Sequence, residues 1–289
     1  MDRPQLKGWP RSETSRFLRV RPHDWHLQDS GTGPALLLLH GTGASTHSWR
    51  DLIPHLVQNH RVLAVDLPGH GFTRLGTRLR SGLGPVAEDL HRLLTETGAD
   101  PVAIIGHSAG AAIGLRLAQR LGNKPAVIGI NPALQPFQGI AGVMFPMTAR
   151  MMAITPGLSR MLARSLSETR RVLPLLRSTG SDLSVSGLNL YARLFRDADH
   201  VDGTLLMMSQ WKLDGLLSDL PSLTSRCLFL TGSQDRMVPP VSAVQAAERM
   251  PDAQVQSLDG YGHLVHEEAP SLVADVIASW LADTPKRPA

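Results

Sequence analysis

The sequence predicts an α/β fold: a mostly parallel central sheet, helices on both of its faces, and a helical insertion between two sheet strands. Three observations predict it. Short continuous apolar runs alternate with helix-period segments up to residue 130 and again after residue 225, the pattern of a parallel sheet covered on both sides. Between residue 132 and about residue 224 the alternation stops, and helical stretches rich in Met, Leu and Arg replace it. The chain has 289 residues, 42% hydrophobic and 19% charged, which suits one large α/β core and excludes a disordered chain.

The elements follow in order. Arg16–Val20 and Asp24–Gln28 read as a short hairpin, and Ala35–Leu39 as a buried strand ending at His40-Gly41. Ser48–Gln58 is predicted to be a helix with Trp49, Leu52, Ile53 and Leu56 on one face. Arg61–Val65 is the next strand, ending in Asp66-Leu67-Pro68-Gly69-His70-Gly71. Pro85–Thr97 is an amphipathic helix, Val102–Gly106 a strand, Ala109–Leu121 a helix and Ala126–Ile130 a strand. After the insertion come strands at Cys227–Leu230 and Gln254–Leu258, then a helix over Pro270–Leu281 with Pro in its first turn. The expected organisation is a core of residues 1–132 and 225–289 with a helical cap, or lid, at 133–224. The tail Thr284–Ala289 is expected to fray.

Composition narrows the function. One cysteine excludes a disulfide scaffold and a Cys-based zinc site. No apolar run approaches the ~18 residues of a membrane span, and the first twenty residues lack the apolar stretch of a secretory signal, so a cytoplasmic location is expected. The formal net charge is +4, and 25 of the 29 basic residues are arginine. That bias reads either as compositional or as a surface for anionic partners such as phospholipid or a carboxylated ligand. Nucleic acid is not an expected partner: there is no zinc-finger spacing, and aromatics are only 4%.

Gly106-His107-Ser108-Ala109-Gly110 is a G-x-S-x-G pattern between a predicted strand and a predicted helix. A serine on such a turn stands at the positive end of a helix, where developing negative charge is favoured. Its hydroxyl needs a base. His263 is the candidate, in the glycine-flanked loop Asp259-Gly260-Tyr261-Gly262-His263 after the last strand; His266 reads instead as a helix-entry histidine near Glu267 and Glu268. The base needs an orienting carboxylate. Asp235 follows the strand Cys227–Leu230, whereas the alternative seat after Ala126–Ile130 holds Asn131-Pro132; Asp66 reads as a loop-bracing residue. The oxyanion donors are expected to be the backbone N–H groups of Thr42 and Ala109, the first from the turn His40-Gly41-Thr42-Gly43. The chain order Ser, Asp, His with an HG turn upstream distinguishes this arrangement from the other common triad orders.

With HGTG at 40–43, DLPGHG at 66–71, GHSAG at 106–110, GSQDRMVP at 232–239 and GYGH at 260–263, the chain resembles the α/β-hydrolases over essentially its whole length. The segment HGTGASTHSWRDLIPHL with DLPGHGFT more narrowly resembles the BchO-type accessory proteins linked to magnesium chelatase in bacteriochlorophyll biosynthesis. Haloalkane dehalogenases and epoxide hydrolases use an aspartate nucleophile where this chain has Ser108. The absence of a Walker A motif excludes the ATP-driven motor of a chelatase, and no cofactor or metal is expected. His40, His70 and His107 are each explained by their motifs.

Together the resemblance and the residues imply a serine hydrolase acting on an ester or other acyl bond of a hydrophobic substrate, with a porphyrin in view. The alternatives are a magnesium-chelatase accessory or porphyrin-binding protein with little hydrolytic activity, and a generic cofactor-free esterase. The insertion carries Arg150, Arg160, Arg164, Arg170, Arg171 and Arg177 against Glu168, interleaved with Met144, Met147, Met151, Met152, Met161, Phe137 and Phe145. This composition suggests either ordinary packing or a cationic, amphiphilic lid that meets a carboxylated ligand or a membrane surface.

Overall fold

The computed structural model of the chain describes residues 1–135, 151, 155, 157–165 and 168–283. Phe137, Met144, Phe145, Met147, Arg150, Met152 and the tail 284–289 lie outside the described residues. Eight strands form one sheet in the order β1-β2-β4-β3-β5-β6-β7-β8: β1 (Ser15–Val20), β2 (His23–Ser30), β3 (Ala35–Leu39), β4 (Arg61–Val65), β5 (Pro101–His107), β6 (Ala126–Ile130), β7 (Cys227–Gly232) and β8 (Ala253–Leu258). β1 and β2 pair antiparallel, as do β2 and β4, while every pair from β4 through β3 to β8 is parallel.

The all-leucine run of β3 shows why its sequence has no alternation. Leu37 and Leu39 enter the apolar cluster on one face of the sheet, and Leu36 and Leu38 the cluster on the other. A strand in mid-sheet with helices on both sides has no face left for polar residues. On the first face lie α2 (Leu83–Thr97) and α3 (Ala109–Ala118), whose buried side chains include Val86, Leu90, Leu93, Ile113 and Leu117. The opposite face is covered by α1 (Ile53–Leu56) and, at the end of the chain, by a helix over Pro270–Ala282 that buries Val273, Ile277 and Trp280. Each such side chain contributes about 1.5–3 kcal/mol when fully buried.

One expected element is broken. In place of a continuous helix over Ser48–Gln58, a 3-10 turn at Thr46–Trp49 is followed by the single turn of α1. Pro54, with no N–H to donate, sits in that turn. The predicted apolar face survives: Trp49, Leu52, Ile53 and Leu56 are all buried.

Between β6 and β7 the described residues form α4 (Leu158–Ser165), α5 (Thr169–Arg177), α6 (Val185–Phe195), α7 (Ala198–Ser209) and α8 (Asp214–Asp219). α4 packs on α7, and α5 on α6. Leu213, Leu216, Leu220 and Leu223, at the end of this insert, are buried in the sheet's own core. After β7 come α9 (Val241–Ala247), the one-turn α10 (Val265–Glu268) and α11 (Pro270–Ala282). The methionines of the insert divide: Met207 is fully buried, whereas Met151 and Met161 are about three-fifths exposed (62% and 59%).

Candidate active site

Ser108 joins β5 to α3 with φ 51° and ψ −116°, a strained conformation for a residue with a side chain. The two glycines of the motif are explained by contact. A Cβ on Gly106 would lie 2.4 Å from the carbonyl oxygen of Gly110, and one on Gly110 would lie 2.0 Å from that of Leu39. Strand β3, the turn and α3 can approach this closely only without those side chains. The Ser108 N–H donates to the C=O of Ile130 at 2.9 Å, which fixes the turn against β6. Ala109 is the first residue of α3, so its N–H has no intrahelical acceptor.

His263 and Asp235 are brought into contact. The Nδ1 of His263 lies 2.7 Å from Oδ2 of Asp235. The other carboxylate oxygen of Asp235 accepts from the N–H groups of Met237 at 2.8 Å and Val238 at 2.9 Å, which fixes the carboxylate in its loop. Both residues are largely buried. A carboxylate on Nδ1 leaves Nε2 as the atom able to take a proton from a partner.

Three further side chains hold this arrangement. The ring Nε2 of His107, the residue before Ser108, donates to the C=O of His263 at 2.9 Å. Asn131, in a left-handed conformation with φ 44°, donates to the C=O groups of Gly262 and His263 and accepts from the N–H of Gly232. His40 donates from Nδ1 to the C=O of Gly41 at 2.8 Å, and its Nε2 accepts from the N–H of Leu67 at 3.0 Å, tying the 40–43 turn to the 66–71 loop. Thr42 lies in that turn, its hydroxyl 3.3 Å from the sulfur of Met207 in α7. In the sequence Asn131 marks only a position after β6 that lacks an acid, and its bracing role becomes visible in the structure.

Asp66 braces its loop, as expected. It accepts from the N–H of Thr46 at 2.7 Å and of Phe72 at 2.8 Å, and pairs with Nδ1 of His26 at 2.7 Å. Burial alone would raise its pKa, but His26, then His40 and the Phe72 N–H, hold the carboxyl well below the usual range. His266 stands at a helix entry, in the one-turn α10, as the sequence suggests. It is fully buried, packed at a tilt between Trp49 and His107, and among the described residues neither ring nitrogen has a hydrogen-bond partner. Burial, then the neighbouring His263 and Arg50, push its pKa down to about 3, so the ring is neutral. The nearby acid Glu267 instead accepts from Tyr191 of α6 at 2.7 Å and pairs with Arg50 at 2.5 Å.

A cavity of about 710 Å³ lies elsewhere, beside the β1–β2 hairpin between Arg3, Phe17, Trp25 and Arg74. A second, of about 320 Å³, lies between Leu134, Leu217 and Ala246. Neither is lined by Ser108, His263 or Asp235.

The family model described as the alpha/beta hydrolase fold matches residues 34–270. The chain belongs to the α/β-hydrolase family. It is 44% identical to the magnesium-chelatase 30 kDa subunit of Rhodobacter capsulatus, a match that covers 95% of this chain and 96% of that one. It is 27% identical to the sn-1-specific diacylglycerol lipase ABHD11 of Mus musculus, over 92% of this chain and 87% of the lipase. Among solved structures, the epoxide hydrolase CorEH superposes with a TM-score of 0.78 at 20% identity, covering 93% of this chain and 98% of that one; a likeness at that identity speaks for the fold alone. Among the described residues of this α/β-hydrolase, no helix is long and apolar enough to cross a membrane.

Proposed function

We propose that the protein is a serine hydrolase that cleaves an ester or related acyl bond of a hydrophobic substrate. The hydrogen bond between His263 and Asp235, at loops following two neighbouring strands, carries this reading, together with the strained turn at Ser108. In this mechanism the Ser108 hydroxyl attacks the acyl carbon while His263 Nε2 takes its proton. The N–H groups of Thr42 and Ala109 donate to the oxyanion, and Asp235 holds the imidazole in the required tautomer. The protonated His263 then gives its proton to the leaving oxygen. A water deprotonated by the same ring releases the acyl group from Ser108. No metal or organic cofactor takes part.

We assign residues 133–224 as a cap over a core of 1–132 and 225–289, with the stretch from Leu213 to Leu223 as its footing in that core. The 44% identity to a magnesium-chelatase subunit favours a specific second reading: association with magnesium chelatase, with a porphyrin held rather than cleaved. The cap supports a carboxylated hydrophobic ligand or an anionic membrane surface as its partner. Exposed Met151, Met161 and Leu175 share it with Arg160, Arg170 and Arg171. The generic esterase reading is supported by the family and by the likeness to the diacylglycerol lipase.

An acyl-ester activity screen, run beside an absorbance titration with a dicarboxylic protoporphyrin, separates these readings. Turnover that is lost in Ser108→Ala supports the hydrolase. Porphyrin binding that weakens with salt and falls on replacing Arg160, Arg164, Arg170 and Arg171 by Gln, with no turnover of any ester, favours the binding protein.

A further inference from the structure

The end of α5 is wedged between the two loops that carry His263 and Asp235. The C=O of Thr179 accepts from the N–H of Arg236, next to Asp235, at 3.1 Å and from the N–H of His263 itself at 3.3 Å. Ser181, 3% exposed, accepts at its hydroxyl from the N–H of Leu264 at 2.8 Å. Between them Gly180 adopts φ +88°, and a Cβ there would stand 2.0 Å from the carbonyl oxygen of Gln234. On the other side, a Cβ on Gly262 would stand 2.3 Å from the carbonyl carbon of Gly180. Glu268 closes the ring of contacts, accepting from Asp182 N–H at 3.0 Å and Gly262 N–H at 3.1 Å. The helical insert therefore touches both loops through backbone groups within one residue of each member of the pair.

We propose that the segment 179–181 is a positioning element: it clamps the Asp235 and His263 loops together, so the seating of the insert sets the geometry of the His263–Asp235 hydrogen bond. This rests on the reading of His263 as the base, which the core holds from the other side through Asn131 and His107. A buried N–H that loses its acceptor must find another or stay unsatisfied, so the loop shifts. Even a small misplacement of a base costs rate. An insert displaced by a ligand would relax the base, and one seated on the core would restore it.

The test uses the full chain with Ser181→Ala, the conservative Ser181→Thr, and Ser178→Ala as control. Ser178 immediately precedes the segment, at the end of α5, and among the described residues its hydroxyl bonds only the C=O of Leu175. Two signals are read: the rate of Ser108 labelling by a fluorophosphonate across pH, and the downfield proton NMR resonance of His263 Nδ1–H. Ser181→Ala should slow labelling about five- to tenfold, move the midpoint of its pH profile, and shift or broaden the His263 resonance. Ser181→Thr should recover most of both, and Ser178→Ala should leave both unchanged. Gly180→Ala, if it folds, should give a larger loss than Ser181→Ala. An unchanged His263 resonance and pH midpoint in Ser181→Ala would overturn the clamp. If wild-type protein takes no label at Ser108, the hydrolase reading fails, and the His263 resonance alone still decides the clamp.

Discussion

Asn131 and His263 are joined by a hydrogen bond of 2.8 Å from the side-chain amide of the first to the backbone C=O of the second. The same amide donates to Gly262 at 3.1 Å, and its oxygen accepts from Gly232 at 2.8 Å. One buried side chain at the end of β6 thus fastens β7 to the histidine loop. Asn131→Asp keeps the shape but replaces the donor with an acceptor, setting a carboxylate against two carbonyl oxygens. The expected loss is about 3 kcal/mol or more of unfolding free energy by urea titration, since each unsatisfied buried group costs roughly 1–3 kcal/mol. A change below about 0.5 kcal/mol would show that Asn131 is not a fastener.

The two histidines of the 263–266 segment should behave oppositely. His263→Ala should reduce Ser108 labelling by several orders of magnitude, and Asp235→Asn should cost up to about 10⁴-fold in turnover by disturbing the tautomer. His266→Leu should leave activity within a fewfold and leave stability equal or higher, because it removes two buried ring nitrogens that have no partner. Activity lost in His266→Leu but kept in His263→Ala would reverse the assignment.

Stability should fall on mild acidification. Burial pushes the pKa of His200 down to about 4 and that of His266 to about 3, against 6.5 for an ordinary histidine. Below pH 6.5 the unfolded chain binds protons that the folded chain refuses, so stability falls as pH drops from about 6.5 toward 4. At about 1.4 kcal/mol per pKa unit the two rings together account for several kcal/mol. Thermal unfolding followed from pH 7.5 to pH 4 should show this decline, and His266→Leu should make it shallower. A midpoint that stays constant over that range would mean that burial does not hold these two rings neutral.

Much of this molecule is legible in its sequence, and the exceptions have physical causes. The strand β3 is read from five apolar residues because both of its faces are buried, and the Ser108 turn from glycines that leave no room for a side chain. Ser48–Gln58 misleads because its apolar spacing is helical while Pro54 and the Ser45 cap divide the segment into two short turns. His266 reads as a helix-entry histidine near Glu267 and Glu268, and it does lie in the one-turn α10, but the adjacent acids do not meet its ring. In space Glu267 turns to Arg50 and Tyr191, and Glu268 to the backbone of Gly262 and Asp182. The clamp at 179–181 was hidden for a different reason: it works through a backbone carbonyl, one serine and a glycine, none of which forms a pattern with the loops it meets.

Thr42 should act through its backbone. Among the described residues its hydroxyl meets only the sulfur of Met207, a weak acceptor, so Thr42→Ala should keep activity within about tenfold. Thr42→Pro removes the N–H and should cost about 2.7–4 kcal/mol of transition-state stabilisation if the turn still folds. Steady-state kinetics on an activated ester, with circular dichroism to check folding, decides it. Equal activity in folded Thr42→Pro would place the oxyanion elsewhere.

Covalent labelling with a fluorophosphonate, followed by peptide mass mapping, asks whether Ser108 is an activated nucleophile. Wild-type protein should carry the label on Ser108, Ser108→Ala should carry none, and turnover in that variant should drop on the order of 10⁶-fold if the three residues act as a unit. A folded wild-type protein that remains unlabelled at Ser108, or a Ser108→Ala variant that keeps its activity, would show that it is not.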